Sequence, residues 1–450
     1  MNLDTAEQED RLTVLDKNGD RLFVIPADVS GFFRRYRNIV QAILVIFFLI
    51  LPWTKINGQQ TLWLNISERQ FNIFGLIFWA HDGPLIFFVF AILTLGLAFV
   101  TSVWGRVWCG WACPQTVFID GIFRRIEAWV EGSYIQRRRM LIEPLTAMQM
   151  LKKLLKWILY FLVSSVIAHS FIAYFSGAEP LLHMMAKPPQ DNWNYFLLVT
   201  TITLLIAFNF GWFREQFCII MCPYGRFQSV LMDKKTLNVM YDDQRSDCID
   251  CKKCIQVCPT RIDIRKGLQM ECIACTACID ACNTIMDKVK QPRNLISYRT
   301  LDRQKFKIFK GRSIVYLALI FVCTGALAYN VAYRSPLQVF ILRGRDAPFQ
   351  ISTLNGSSER TITNHLKLDI HNQTFDEQHI KISLDPTFVN SKLITAQPVT
   401  KLRPGESKII HIFVQFPESA SKGSGQIKTN LNFASEHLNL QKELSLVGPY

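Results

Sequence analysis

The stretch 248–282 reads CIDCKKCIQVCPTRIDIRKGLQMECIACTACIDAC. It holds two cysteine quartets, each spaced Cys-x-x-Cys-x-x-Cys-x-x-x-Cys. The first is Cys248, Cys251, Cys254 and Cys258, followed by Pro259. The second is Cys272, Cys275, Cys278 and Cys282, followed by Asn283. Paired Cys-x-x-Cys units also hold structural zinc, but zinc quartets usually place a long loop between two such pairs. Four cysteines strung into eleven residues, twice over, favour iron–sulfur chemistry instead.

The spacing is that of a bacterial two-cluster ferredoxin, in which three thiolates wrap one cluster and the fourth cysteine crosses to the other. It assigns one [4Fe-4S] cluster to Cys248, Cys251, Cys254 and Cys282. A second goes to Cys258, Cys272, Cys275 and Cys278. The crossing keeps the clusters close enough for electrons to pass between them.

Outward from this segment the chain turns strongly apolar. Half of its 450 residues are hydrophobic, and 33 are Phe. Five windows lack formal charge: Asn38–Thr54, Gly83–Gly105, Trp157–Ala178, Asn192–Phe213 and Ser313–Tyr333. Each is of a length that spans a bilayer as a helix. The net charge is +14, with basic residues clustered beside the apolar windows. That pattern points to membrane topology and anionic lipid, and nothing beyond the charge supports nucleic-acid binding.

Loop 55–82 carries only Lys55 and Arg69, and loop 179–191 only Lys187. Loop 106–156 carries nine Lys and Arg residues, and 214–312 is also basic. The positive-inside rule therefore places the N-terminus and both quartets in the cytoplasm and the C-terminus on the far side. In that reducing compartment, disulfides are not expected.

A second cysteine feature occurs twice. RVWCGWACPQ follows the second window, with Cys109, Cys113 and Pro114. REQFCIIMCPYG follows the fourth, with Cys218, Cys222 and Pro223. If the helices continue, each i,i+4 pair shares a face, and two packed repeats bring four thiols together. Soft thiolates suit Cu(I), zinc, an iron–sulfur centre or dithiol–disulfide exchange, and the spacing leaves these open. His169, inside the third window, is expected to hydrogen-bond to a neighbouring helix rather than ligate. His81, His183, Met184 and Met185 are expected to pack in outer loops. Cys323, in the last window, is expected to be a packing residue.

The expected domains are a cytoplasmic arm (1–37), a transmembrane domain with two hairpin repeats (38–232), an α+β two-cluster ferredoxin domain (233–300), a basic linker with the final span (301–333) and a periplasmic domain (334–450). The last shows strand-like runs at 365–372, 379–384, 408–416 and 438–447, punctuated by Asn355-Gly356, Pro404-Gly405, Gly423 and Gly425. About seven strands in an immunoglobulin-like β-sandwich are expected.

The ferredoxin segment, the paired Cys-x-x-x-Cys-Pro motifs, the final span and the tail beginning near YRSPLQVFILRGRDAPF (333–349) together resemble the cytochrome c oxidase accessory protein family, called CcoG, FixG or RdxA. The resemblance implies a bacterial inner-membrane protein that reduces Cu(II) to Cu(I) for assembly of a cbb(3)-type oxidase. It implies copper near Cys109, Cys113, Cys218 and Cys222, and oxidase assembly factors or a copper chaperone as partners. The electron donor and any homo-oligomerisation are left open. A quinol-oxidising conduit to a periplasmic reductase and a non-enzymatic assembly scaffold are the alternatives.

Overall fold

The computed structural model describes residues 23–56, 58–67, 69–79, 83–304, 306–344, 347–353, 360–374, 376–386, 388, 390–421, 425–435 and 438–449. They fall into two compact units, one ending at Ala328 and the other starting at Tyr329.

Among the described residues five helices are long and apolar enough to cross a membrane: Phe32–Trp53, Gly83–Trp104, Ala147–Ser176, Pro189–Phe213 and Gly311–Ala332. The shortest has 22 residues, about 33 Å of helix against a hydrocarbon core of about 30 Å. The first span starts ahead of its charge-free window and takes Arg34, Arg35 and Arg37 into its first turns. The third starts at Ala147, where Thr146 and Gln149 form a reciprocal capping box, and stops at Gly177 with a φ of 86°.

The connection after the first span is folded. Lys55–Ile56 pairs with Gln59–Gln60, and Leu62–Asn65, Gln70–Ile73 and Leu76–Trp79 form a three-stranded sheet. Gln60 Nε2 donates to the Ala173 carbonyl at 2.9 Å and Trp63 Nε1 to that of Phe175 at 3.2 Å. This ties the small sheet to the end of the third span. Strands of two to four residues are too short for their alternation to show in sequence.

The cysteine-rich segment is framed by antiparallel strands Leu237–Tyr241 and Ile296–Thr300, with helices Lys253–Gln256 and Ala277–Lys288 between them. Val239, Ile262, Ile264, Ile279 and Ile296 make its buried apolar core, against which five of the eight cysteines pack. Asp280, on the longer helix, caps the first membrane span. Its carboxylate accepts from the Phe33 and Arg34 backbone N–H groups at 3.3 and 2.7 Å. Gly31 makes room for this cap: a Cβ there would lie 2.3 Å from Asp280 Cγ.

The C-terminal unit is a sandwich of a five-stranded and a four-stranded sheet. Its strands are β1 (Leu337–Arg343), β2 (Gln350–Thr353), β3 (Arg360–Asn372), β4 (Gln378–Leu384), β5 (Lys392–Thr395), β6 (Val399–Leu402), β7 (Ser407–Pro417), β8 (Gln426–Ser435) and β9 (Leu438–Val447). One sheet runs β5-β7-β3-β1, with β2 also on β3, and the other β6-β4-β8-β9. The expected architecture holds, with more strands than expected, since β2, β5 and β6 have only four residues each. Gly405 and Gly425 take left-handed turn positions, while Asn355-Gly356 and Gly423 lie outside the described residues. Buried residues alternate along β3, β6, β7 and β8, and Ile362, Leu368, Ile412, Phe416, Leu431 and Phe433 are all but sealed from solvent.

With no disulfide, this sandwich depends on that core. Phe433→Ala is expected to cost about 3–5 kcal/mol, read as a lowered melting transition of the C-terminal unit with the membrane unit unchanged.

Candidate functional site: two cysteine quartets and a four-thiol junction

The two halves of the cysteine segment fold alike. In each, the residues flanking the second cysteine are left-handed: Asp250 (φ 53°) and Lys252 (φ 53°) around Cys251, Ala274 (φ 53°) and Thr276 (φ 62°) around Cys275. None is glycine, so each position carries strain of about 1–2 kcal/mol. Such strain persists where the surroundings impose it, commonly at functional sites. Lys252 and Thr276 then occupy the N-cap positions of the helices that carry Cys254 and Cys278.

The cysteines group across the halves rather than within them. Cys282 lies within interaction range of Cys251 and Cys248, and Cys254 within range of Cys251 and Cys282. Cys272 lies near Cys258 and Cys275, and Cys278 near Cys275, Cys272 and Cys258. Cys258, Cys272, Cys275 and Cys278 line one cavity with Val239, Ile262, Ile264 and Ala274, and Cys254 lines it too. Among the described residues, no three His, Cys, Asp or Glu side chains converge on a single ion position. The sulfurs surround a space instead, and a soft donor set around an apolar cavity fits an iron–sulfur cluster. Cys251 is the most exposed of the eight and Cys275 is buried. Asn283 serves its own loop, where its Oδ1 accepts from the Asn294 backbone N–H at 2.9 Å.

The Cys-x-x-x-Cys-Pro motifs are not continuations of the spans. The second span stops at Trp104 and Gly105 turns left-handed (φ 60°); the fourth stops at Phe213 and Arg214 does the same (φ 52°). Each break lies four residues before the first cysteine. Cys109 then sits in the short helix Val107–Trp111, and Cys218 in the π-helical turn Phe217–Met221. Cys113 and Cys222 are extended N-caps of new helices that open with Pro114 and Pro223. Proline suits that first position because its missing N–H would be unpaired there anyway. The expected i,i+4 geometry within one α-helix is therefore replaced by a helix-to-helix elbow.

The two elbows clasp each other. Gln115 exchanges hydrogen bonds with Asn209 of the fourth span at 3.1 and 2.9 Å. Tyr224 bonds Thr101 of the second span at 3.1 Å. The four thiols lie within electrostatic reach of one another. Burial pushes the Cys109 thiol up to about 12, and neighbouring Cys113 and Cys222 add to the rise. Burial likewise raises Cys218, next to Cys113, Glu215, Cys109 and Cys222. Cys109 Sγ donates to Gln228 Oε1 at 3.1 Å.

This junction is seated on the second quartet. A Cβ on Gly110 would meet the Ile273 and Ala274 carbonyl oxygens at 2.5 and 2.7 Å. Cys109 packs against the buried group that includes Ile273 and Cys275. Arg106 donates to the carbonyls of both Met270, just before Cys272, and Gly225, just after the second motif. Behind the junction Asp120 binds Arg37, Arg124 and Arg34, Arg124 also binds Glu215, and Arg214 binds Glu127. Burial opposes ionisation of Asp120, but Arg37, Arg124 and Arg34 overcome it and hold the carboxyl well below its usual range. Arg37 Nε binds the Gly110 carbonyl at 2.8 Å.

The other candidates lie apart. His169 Nδ1 is 2.7 Å from the Ser165 carbonyl of its own helix, and among the described residues its bonds stay within that helix rather than reaching a neighbouring one as expected. His183 and Met185 are exposed on the helix Ala178–Met185, with Met184 half-buried. His81 lies outside the described residues, and Cys323 is half-buried within the last span. Gln228, Arg106 and the Asp120–Arg37 pair carry no sequence signature, because each acts through partners far off in the chain.

Residues 213–247 and 242–301 match the 4Fe-4S dicluster domain, and residues 85–132 match a 4Fe-4S binding domain. Residues 327–449 match the family described as an IG-like fold at the C-terminal of FixG. Protein RdxA of Cereibacter sphaeroides is 31% identical over 395 residues, covering 80% of this chain and 82% of the relative. The chain belongs to the FixG/RdxA family. Protein RdxB of the same organism is 32% identical (75% of this chain, 77% of the relative). The nitrogen fixation protein FixG of Rhizobium meliloti is 28% identical (80% and 79%). As a FixG/RdxA protein, the chain is a membrane-bound iron–sulfur electron-transfer protein with an immunoglobulin-like C-terminal domain.

Two outcomes test this arrangement. Gly110→Val is expected to cost about 1–3 kcal/mol by overpacking a backbone contact, while Gly96→Val, with open space around it, leaves the melting temperature unchanged. Asp120→Asn is expected to cost about 3–5 kcal/mol at neutral pH, as when one member of a buried ion network is removed. Because the folded carboxyl is depressed, its contribution is complete above the unfolded value of about 3.9. It is lost only as pH falls through the lower folded value. The stability gap between wild type and variant should therefore stay constant from pH 7 down to about 4 and close below it.

Proposed function

We propose that this chain reduces Cu(II) to Cu(I) at the membrane for assembly of a cbb(3)-type cytochrome c oxidase. The observation that supports the reading most is the seating of four thiols directly on the second cysteine quartet, through Gly110 and Arg106. In this proposal Cys248, Cys251, Cys254 and Cys282 hold one [4Fe-4S] cluster, and Cys258, Cys272, Cys275 and Cys278 the other. When bound, the clusters supply one-electron redox capacity.

The chain's own residues do the rest. Cys109, Cys113, Cys218 and Cys222 take copper as substrate, releasing their protons as the metal binds. Cu(II) gains one electron, drawn ultimately from an external reductant, and becomes Cu(I), the state that soft sulfur ligands favour. No bond to carbon, oxygen or nitrogen is cleaved, so no general acid or base is required. Arg106 fixes the distance between junction and quartet, and Gln228 orients the Cys109 thiol. In this proposal, which the basic loops favour, both sites face the cytoplasm, and the C-terminal sandwich lies outside and docks a copper chaperone or an assembly factor.

A second reading has its own support. The 4Fe-4S binding domain matched at 85–132 contains only Cys109 and Cys113 as cysteines. A [4Fe-4S] cluster takes four ligands, and Cys218 and Cys222 are at hand. The junction then holds a third cluster instead of copper.

Anaerobically purified protein separates these. Copper reduction predicts about eight irons per chain and Cu(I) formation, trapped with a chromogenic chelator, that is lost in Cys109→Ser and Cys218→Ser while both cluster signals persist. About twelve irons per chain, falling to about eight in those variants, would establish the third cluster. Full Cu(II) reduction in both Ser variants would remove the junction from the reaction.

A further inference from the structure

A polar cavity lies behind the junction, between the start of the first span and the part of the cysteine segment that carries Cys258 and Cys278. Its volume is about 140 Å³. Arg34, Arg37, Arg124, Arg125 and Arg137 line it, against only Asp28 and Asp120. Val257, Pro259 and Ala277, neighbours of Cys258 and Cys278, form another wall.

The acids are already used. Asp120 Oδ1 binds Arg124, and its Oδ2 is shared by Arg37 and Arg34. Asp28 binds Arg137 through one oxygen and the Tyr134 N–H through the other. Glu215 reaches Arg124, and Glu127 acts on Arg137 from the bundle side. Arg125 adds a further guanidinium on an exposed part of the wall. Arg37, Arg124 and Arg137 are 2%, 9% and 3% exposed. The Nε atoms of Arg124 and Arg137 are buried with no hydrogen-bond partner among the described residues. A buried unpaired donor costs about 1–3 kcal/mol, and more when charged. The cavity thus carries a surplus of converging guanidinium groups.

We infer that this cavity binds a phosphate group, carried by an anionic phospholipid headgroup or by a soluble phosphate. Several guanidinium forks offer the paired N–H donors that a tetrahedral oxyanion accepts. Arg34 and Arg37 belong to the first turns of a membrane span, the level at which headgroups lie. The bound charge sits beside Cys258 and Cys278. It therefore favours the oxidised form of whatever redox group they hold, giving the site a means to tune that potential.

The test uses anaerobically purified full-length holoprotein. Binding of radiolabelled inorganic phosphate, and of phosphatidylglycerol in phosphatidylcholine nanodiscs, is measured on wild type, on Arg34→Gln/Arg125→Gln and on Lys288→Gln/Lys442→Gln. The last removes the same charge from exposed positions elsewhere. At least one probe should bind wild type and weaken about tenfold or more in the pocket variant, as for loss of charged hydrogen bonds, with the control variant unchanged. Binding of inorganic phosphate identifies a soluble ligand; binding of phosphatidylglycerol alone identifies lipid. Should the pocket variant lose its iron, Ala128→Glu, at an exposed position on the cavity rim, sets a repelling carboxylate there and should weaken binding likewise. Failure of both probes on wild type, equal loss in the control, or binding that survives the pocket change overturns the inference.

Discussion

Two backbones pass within touching distance where Gly110 meets the Ile273–Ala274 loop, and most of the membrane unit serves to keep them there. Carbonyl groups this close and this buried need donors from elsewhere. Arg37 serves Gly110, and Arg106 serves Met270 and Gly225. A guanidinium is a poor fit to a low-dielectric setting unless it finds counter-charge or several acceptors. Asp120 supplies this for Arg37, while among the described residues Arg106 is met by carbonyls. The buried ion network is thus less a source of stability than the means of fixing one loop against another.

The duplicated motif reaches the same geometry from unlike residues. Glycine makes the left-handed break ahead of Cys109, and arginine makes it ahead of Cys218. The strained Arg214 is over-determined by Glu127, Tyr160 and the Gly211 carbonyl. Each elbow is completed by the span that precedes the other, so neither repeat forms its half of the junction alone.

What could be read from the chain, and what could not, divides by the range of the interaction. Cysteine spacing and charge-free windows are local, and they marked out the ferredoxin segment and the five spans. The pairing of inner faces in the sandwich followed from alternation in β3, β7 and β9. Arg124 and Arg137, by contrast, read in sequence as topological charges in a basic loop, yet both are buried. Their partners Glu215 and Asp28 lie far off in sequence, and no periodicity reports them. The four left-handed positions around Cys251 and Cys275 were equally hidden. Aspartate, lysine, alanine and threonine stand where glycine would have announced the turn.

Asp280 sits between Cys278 and Cys282 and also holds the first N–H groups of a membrane span. Successive residues of a helix point about 100° apart, so one inserted residue ahead of Asp280 would swing its carboxylate off the span. The three-residue interval that sets the sulfurs therefore also sets where the chain dips into the bilayer. Its length answers to two clients at once, and a change that suits one misplaces the other.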